Sequence, residues 1–132
     1  MAAGHVSGGV DYLEVPCRRL ADTKAFFAGV FGWKFTDFGE GYAAFSRTEG
    51  GIDGGFFQSA EDNSSRVSAG AVLPIIYSAN LEETLGKVTA FGNSEILKPI
   101  FEFPGGRRFH FADPSGNEWA VWSDKPAPAP QS

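Results

Sequence analysis

Cysteine, methionine and histidine are scarce in this chain, with one Cys, one Met and two His among 132 residues. Cys17 alone excludes an internal disulfide and suits a reducing compartment, as a buried, inert thiol with no His near it in sequence. Basic residues are also short, 11 Lys and Arg against 16 Asp and Glu, for a net charge of −5. Phosphate binding needs a basic stripe, so nucleic acid is excluded as a partner. The acidity serves ordinary solubility and also permits a cationic guest. No run reaches the ~18 apolar residues that cross a bilayer, and Met1 to Gly9 lacks the apolar stretch of a signal peptide. The expectation is a cytoplasmic protein with no membrane partner.

Aromatic rings are abundant, 14% of the chain with thirteen Phe, within an apolar content of 42%. That suffices for one domain, or for two small halves sharing a core. The clearest local signal is Phe109-His-Phe-Ala-Asp-Pro-Ser-Gly-Asn-Glu-Trp-Ala-Val-Trp122. Its centre, Asp113-Pro-Ser-Gly116, has the chemistry of a tight reversal, and the flanks alternate, so a terminal β-hairpin is predicted.

Upstream, Val10 to Cys17 alternates, with Leu13 and Val15 on one face and Tyr12 and Glu14 on the other. Leu20, Phe27, Val30 and Phe31 recur at helical spacing, and Gly32 suits the position after a helix. Strands are predicted over Trp33–Phe38, Tyr42–Arg47 and Ile52–Gln58, with Glu49-Gly-Gly51 as a turn. Gly54-Gly55 inside the last strand marks a bulge or a close approach. Ser59 to Ser68 is polar and reads as an exposed linker.

The order then repeats. Ala71–Tyr77 reads as a strand, Asn80-Leu-Glu-Glu83 as an N-cap with a capping-box Glu, and Leu81, Leu85 and Val88 as one helical face. Phe91-Gly92 closes that helix as Phe31-Gly32 closed the first. Strands near Glu95–Lys98 and Phe101–Phe103, then the hairpin, complete the second half. The two halves are offset by about 60 residues. Each reads β-α-β-β-β: module 9–58, linker 59–69, module 70–124, and a disordered Pro/Ala tail 125–132. One such module leaves a sheet face bare. The predicted class is therefore α+β, two tandem β-α-β-β-β modules forming an open, curled mixed sheet around a cleft, with helices on the outer face.

Tyr12-Leu-Glu-Val-Pro16, Ala25-Phe-Phe27, Val30-Phe-Gly-Trp-Lys-Phe35, Gly54-Gly55 and Phe109-x-Phe-x-Asp-Pro-x-Gly-Asn117 together resemble the vicinal oxygen chelate superfamily. That group includes glyoxalase I, extradiol dioxygenases and bleomycin-resistance proteins. The resemblance spans about residues 10–124 and implies paired modules around a cleft, often completed by dimerisation. It also implies a divalent metal, held at positions that fall here on Tyr12, Leu73, Ala120 and Gly55. None is an ordinary ligand, whereas zinc, nickel or iron needs three or four converging donors. The expectation is the fold of the superfamily without its metal and without another cofactor.

If those positions face inward, strand alternation brings Glu14, Ile75, Tyr77, Glu118 and Trp122 inward with Tyr12, Leu73 and Ala120. The extradiol enzymes carry a cavity Tyr ten residues before their last ligand, which falls here on His110, with Arg108 on the same face. Each has a plainer reading. His110 reads also as a satisfied semi-buried histidine, Glu14 as a solvent-paired carboxylate, the rings as cavity wall, and Arg108 as a rim charge.

Three functions stay open. The first is a metal-free, resistance-type protein, dimeric, that holds a small aromatic or apolar guest between Tyr and Trp rings. Glu14 and His110 would anchor it, and the acidic chain favours a cationic one. The second is a lyase-, isomerase- or dioxygenase-like enzyme using His110 and Glu14 as acid and base, or a non-standard metal site of Glu14, Glu118 and His110. The third is an interaction module whose cleft a partner closes.

Overall fold

A computed structural model describes residues 4–60 and 64–128. The chain divides into two compact units, residues 1–63 and 64–132. The first contains β1 (Tyr12–Cys17), α1 (Leu20–Phe31), β2 (Thr36–Asp37), β3 (Tyr42–Phe45), α2 (Arg47–Gly50) and β4 (Asp53–Gln58). Its sheet runs β1-β4-β3-β2, with β1 parallel to β4 and the other pairs antiparallel. The second contains β5 (Ile75–Tyr77), α3 (Leu81–Phe91), β6 (Glu95–Phe103), β7 (Gly106–Ala112) and β8 (Glu118–Ser123). Its order, β5-β8-β7-β6, repeats the first, and β5 runs parallel to β8. The class is α+β, a tandem pair of β-α-β-β-β units with four-stranded mixed sheets.

In the first unit α1 buries Leu20, Thr23, Phe26, Phe27 and Val30, and Gly32 ends it at φ 72°. Phe27 meets Phe56 of β4 at 5.3 Å between centroids and Trp33 at 4.8 Å, and Trp33 meets Phe45 at 4.7 Å. This ring cluster fills the sheet's helix side. The glycine pair in β4 makes both faces of the sheet possible. A Cβ on Gly54 would enter the Phe45 ring, and one on Gly55 would enter the Tyr42 phenol on the opposite face. Gly54-Gly55 therefore marks two close approaches and no bulge.

In the second unit α3 buries Leu81 and Val88, and Phe109, Phe111, Trp119 and Val121 supply the buried side of the sheet. The hairpin forms as predicted. Asp113 Oδ1 accepts from the Ser115 and Asn117 N–H groups at 2.9 and 3.0 Å, Gly116 N–H donates to Asp113 O, and Gly116 takes φ 88°. Trp119 Nε1 donates to Asp113 Oδ2 at 2.9 Å.

Several boundaries differ from the sequence reading. The strand expected over Trp33–Phe38 is ordered as a ladder only at Thr36–Asp37, because Trp33 leaves the sheet for the α1 core. Arg47–Gly50 is a helical turn, capped by the Ser46 hydroxyl accepting from Thr48 N–H. Ala71–Tyr77 shortens to Ile75–Tyr77, since Pro74 has no N–H for the ladder. Asn80 caps α3 by accepting from Glu83 N–H, but its own N–H goes to Ser78 Oγ rather than to the Glu83 side chain. Glu95–Lys98 and Phe101–Phe103 are one strand, with register shifts on either side of Lys98. Of the expected linker, residues 61–63 lie outside the described residues, and Val67–Ala69 is a 3-10 turn bound to the hairpin. Of the expected tail, residues 129–132 lie outside the described residues, while the Lys125 carbonyl accepts from Arg107 Nε.

Candidate functional site

Strand register sorts the expected site residues onto the side of each sheet away from its helix. In the second unit Tyr77, Trp122, Arg108 and Phe101 form one cross-strand row, and Ile75, Ala120, His110 and Lys98 form the next. No bulge interrupts the β7–β8 pairing, so Arg108 and His110 do share a face. Tyr77 and Trp122 meet edge-on at 5.3 Å between centroids, and Phe103 lies 6.4 Å from Trp122. Trp122 therefore stands on the helix-free side, whereas Trp119 and Val121 point to the core.

Arg108 is more than a rim charge. Its guanidinium carbon sits 5.4 Å from the ring centres of both Phe101 and Phe103, a cation–π sandwich that holds the side chain along the sheet. Its Nε is buried and has no hydrogen-bond partner.

His110 is buried, 1% exposed, and its Nδ1 lies 2.7 Å from Glu118 Oε2. The two are diagonal neighbours, since His110 pairs with Ala120 and Glu118 precedes Ala120 by two positions. Burial alone would raise the Glu118 carboxyl, but hydrogen bonds from His110 and from Val67 N–H hold it below the ordinary glutamate range. An ionised carboxylate only accepts, so Nδ1 carries the hydrogen, and in the neutral ring Nε2 presents a lone pair. Nε2 is buried without a partner. The ring is satisfied on one side and open on the other, which divides the two sequence readings of His110 between its two nitrogens.

Of the two carboxylates that the sequence reading set beside His110, Glu14 and Glu118, it is Glu118 that hydrogen-bonds the ring. Glu14, in the first unit, is exposed, and its Oε2 accepts from the Tyr42 hydroxyl at 3.1 Å. Tyr42 in turn accepts from Tyr12. Burial and these hydrogen bonds to Tyr12 and Glu14 push the Tyr42 phenol above its ordinary range. The sequence reading missed Tyr42, although its place opposite Gly54-Gly55 was a usable signal.

Leu73 lies before β5, outside the ladder, so strand alternation says nothing of its direction. Ile75 and Tyr77 are 47% and 48% exposed, and the Tyr77 hydroxyl donates to Asp124 at 2.6 Å. Phe101 and Phe103 were missed as site residues; their alternation around Glu102 was the available sign.

The donors implied for a superfamily metal do not fit one. Leu73 and Ala120 offer no donor atom, Ala120 is fully buried, and the space a Gly55 side chain would need is taken by the Tyr42 phenol. Tyr12 spends its hydroxyl on Tyr42. Among the described residues no three His, Cys, Asp or Glu are grouped to hold a metal.

A family model described as Glyoxalase/Bleomycin resistance protein/Dioxygenase superfamily matches residues 9–121. No curated protein sequence matches. Solved structures do. A glyoxalase-related enzyme from Fulvimarina pelagi has 14% identity and TM-score 0.71, covering 88% of this chain and 88% of that one. The fosfomycin resistance protein FosX from Listeria monocytogenes has 18% identity and TM-score 0.70, covering 88% and 93%. Lactoylglutathione lyase from Agrobacterium tumefaciens has 18% identity and TM-score 0.65, with the same coverages. At these identities the likeness is one of fold.

Proposed function

Because the chain belongs to the Glyoxalase/Bleomycin resistance protein/Dioxygenase superfamily, we propose that it uses this fold to bind a flat organic molecule without a metal. The observation that carries the reading is the row Tyr77, Trp122, Arg108 and Phe101, with Phe103 beside it, on one side of the second unit's sheet. Stacking on such rings contributes about 0.5–1.5 kcal/mol per pair beyond burial. The acidity of the whole chain suggested a cationic guest. On this face, however, the charges without a carboxylate partner are the cations Arg108 and Lys98, while Glu118 and Asp124 are each already bonded. A neutral or anionic guest fits the row better. The test is a titration of planar cations, anions and neutral aromatics, read by tryptophan fluorescence in wild type and Trp122→Ala. Binding weaker in the variant by roughly threefold to tenfold is expected; equal binding refutes the site.

A second reading is favoured by the His110–Glu118 pair. A ring whose Nδ1–H is held by a carboxylate and whose Nε2 is unpaired has the arrangement of a general base. Proton abstraction from a bound carbon acid would appear as deuterium uptake from solvent that His110→Gln abolishes. In either reading the protein acts in the cytoplasm as a homodimer, a second copy covering exposed apolar side chains such as Val10 and Phe38 of the first unit or Val72 and Ile75 of the second. A sedimentation mass of one chain at micromolar concentration would refute the dimer.

A further inference from the structure

Among the described residues only two buried side-chain nitrogens lack a hydrogen-bond partner, Arg108 Nε and His110 Nε2. They lie two positions apart on β7 and on the same face. A buried polar atom without a partner is costly, and two of them side by side call for one explanation. Both flank the same ring. Phe101 has its centre 5.4 Å from the Arg108 guanidinium carbon and 5.7 Å from the His110 ring centre. Phe101 sits on β6, an edge strand, next to the register shift after Lys98. Its ring can therefore move aside without breaking a regular ladder.

The two nitrogens ask for different things. Arg108 Nε is a permanent N–H donor beside a positive charge, and it suits an anionic oxygen. In the neutral ring, with Glu118 holding the Nδ1 hydrogen, His110 Nε2 is a lone pair and suits a hydroxyl or N–H donor. We infer that the guest is an aromatic acid carrying a second, hydrogen-donating group, its carboxylate on Arg108 Nε and its hydroxyl on His110 Nε2. Phe101, Phe103 and Trp122 then supply the faces on which its ring lies. This rests on the binding function proposed above and names the class of ligand.

The probes are the three hydroxybenzoate isomers, benzoate, phenol and benzylammonium, titrated into the intact chain. Tryptophan fluorescence gives affinities, and nitrogen-15 NMR follows the Arg108 Nε and His110 Nε2 resonances. At least one hydroxybenzoate isomer should bind about tenfold or more tightly than both benzoate and phenol, since each lacks one of two hydrogen bonds, one of them charged. Both nitrogen resonances should move at saturation. Arg108→Lys, which keeps the charge and removes that N–H, should lower hydroxybenzoate affinity towards that of phenol. The NMR arm uses the wild-type chain, so a poorly folded variant does not remove the test. If phenol or benzylammonium binds as tightly as every acid, or the two resonances stay still at saturation, the inference is overturned and the binding function stands. If no probe of any charge binds, both fall.

Discussion

Glu118 divides its carboxylate between a ring and a backbone: Oε2 meets His110 Nδ1 at 2.7 Å, and Oε1 accepts from Val67 N–H at 2.9 Å. The segment carrying Val67 is itself fastened to the hairpin turn. Ser65 N–H donates to Asn117 Oδ1 and Arg66 Nε to the Gly116 carbonyl, both at 2.8 Å. One carboxylate thus orients His110 and pins the first residues of the second unit.

Glu118→Gln should therefore destabilise the protein by about 1.5–3 kcal/mol at pH 7, the usual worth of hydrogen bonds to a charged group. The pH sign follows from a carboxyl held below the ordinary range. Its stabilisation is present above the unfolded glutamate value and is lost as pH falls through the lower, folded one. Urea unfolding of both proteins from pH 7 down to pH 3 checks this. Their difference should shrink in acid, and a constant difference would contradict it.

Asp113 behaves in the opposite sense. Burial pushes its carboxyl up to about 6, against the hydrogen bonds from Trp119 and from the Asn117, Ser115 and Gly116 backbone. Stability tied to this group is complete below about pH 4 and is lost as pH rises through about 6, on the order of 3 kcal/mol at ~1.4 kcal/mol per pH unit. A carbon-13 titration of the Asp113 carboxyl should show a midpoint near 6. A midpoint below 4 would mean that the N–H donors outweigh burial.

The long helices α1 and α3 and the hairpin were legible because each is set by local chemistry: a periodic apolar face closed by Gly32, an Asn80 cap, an Asp-Pro-x-Gly turn. The order of strands followed from the repeat. What the sequence could not reveal was set by contacts distant along the chain. Glu118 and Glu14 are both strand carboxylates, and only the β7–β8 register decides that Glu118 is the partner of His110. The segment from Ser64 reads as linker because its hydrogen bonds are made to residues about fifty positions away. Tyr42 was missed for a similar reason, since its ring rests on a glycine of the neighbouring strand.

Gly55→Ala should cost about 1–3 kcal/mol, the usual penalty of overpacking. An alanine elsewhere in a strand would gain about 0.4–1 kcal/mol by restricting the unfolded chain. Here the new methyl enters the Tyr42 phenol, and displacing that ring also breaks its bonds to Tyr12 and Glu14. In a Tyr42→Ala background the same substitution should cost clearly less, with a coupling above ~0.5 kcal/mol in denaturation midpoints. Equal costs in the two backgrounds would place the strain elsewhere.

Purified, untagged protein should hold well under one equivalent of zinc, nickel or iron after dialysis. A structural or catalytic site for these ions draws three or four N, O or S donors to a point about 2.0–2.3 Å away. Of the positions that the superfamily uses, Leu73 and Ala120 have no donor, Gly55 has no side chain and no room for one, and Tyr12 is bonded to Tyr42. The one imidazole among the β-strands, His110, already shares its Nδ1 with Glu118, and a single lone pair on Nε2 gives weak binding at most. Elemental analysis measures this directly, and added zinc should leave the thermal midpoint within about 1 °C, since ligands that bind only the native state raise it by mass action. One tightly held equivalent per chain, or a large upward shift, would show that donors converge in solution and would return the protein to metal chemistry.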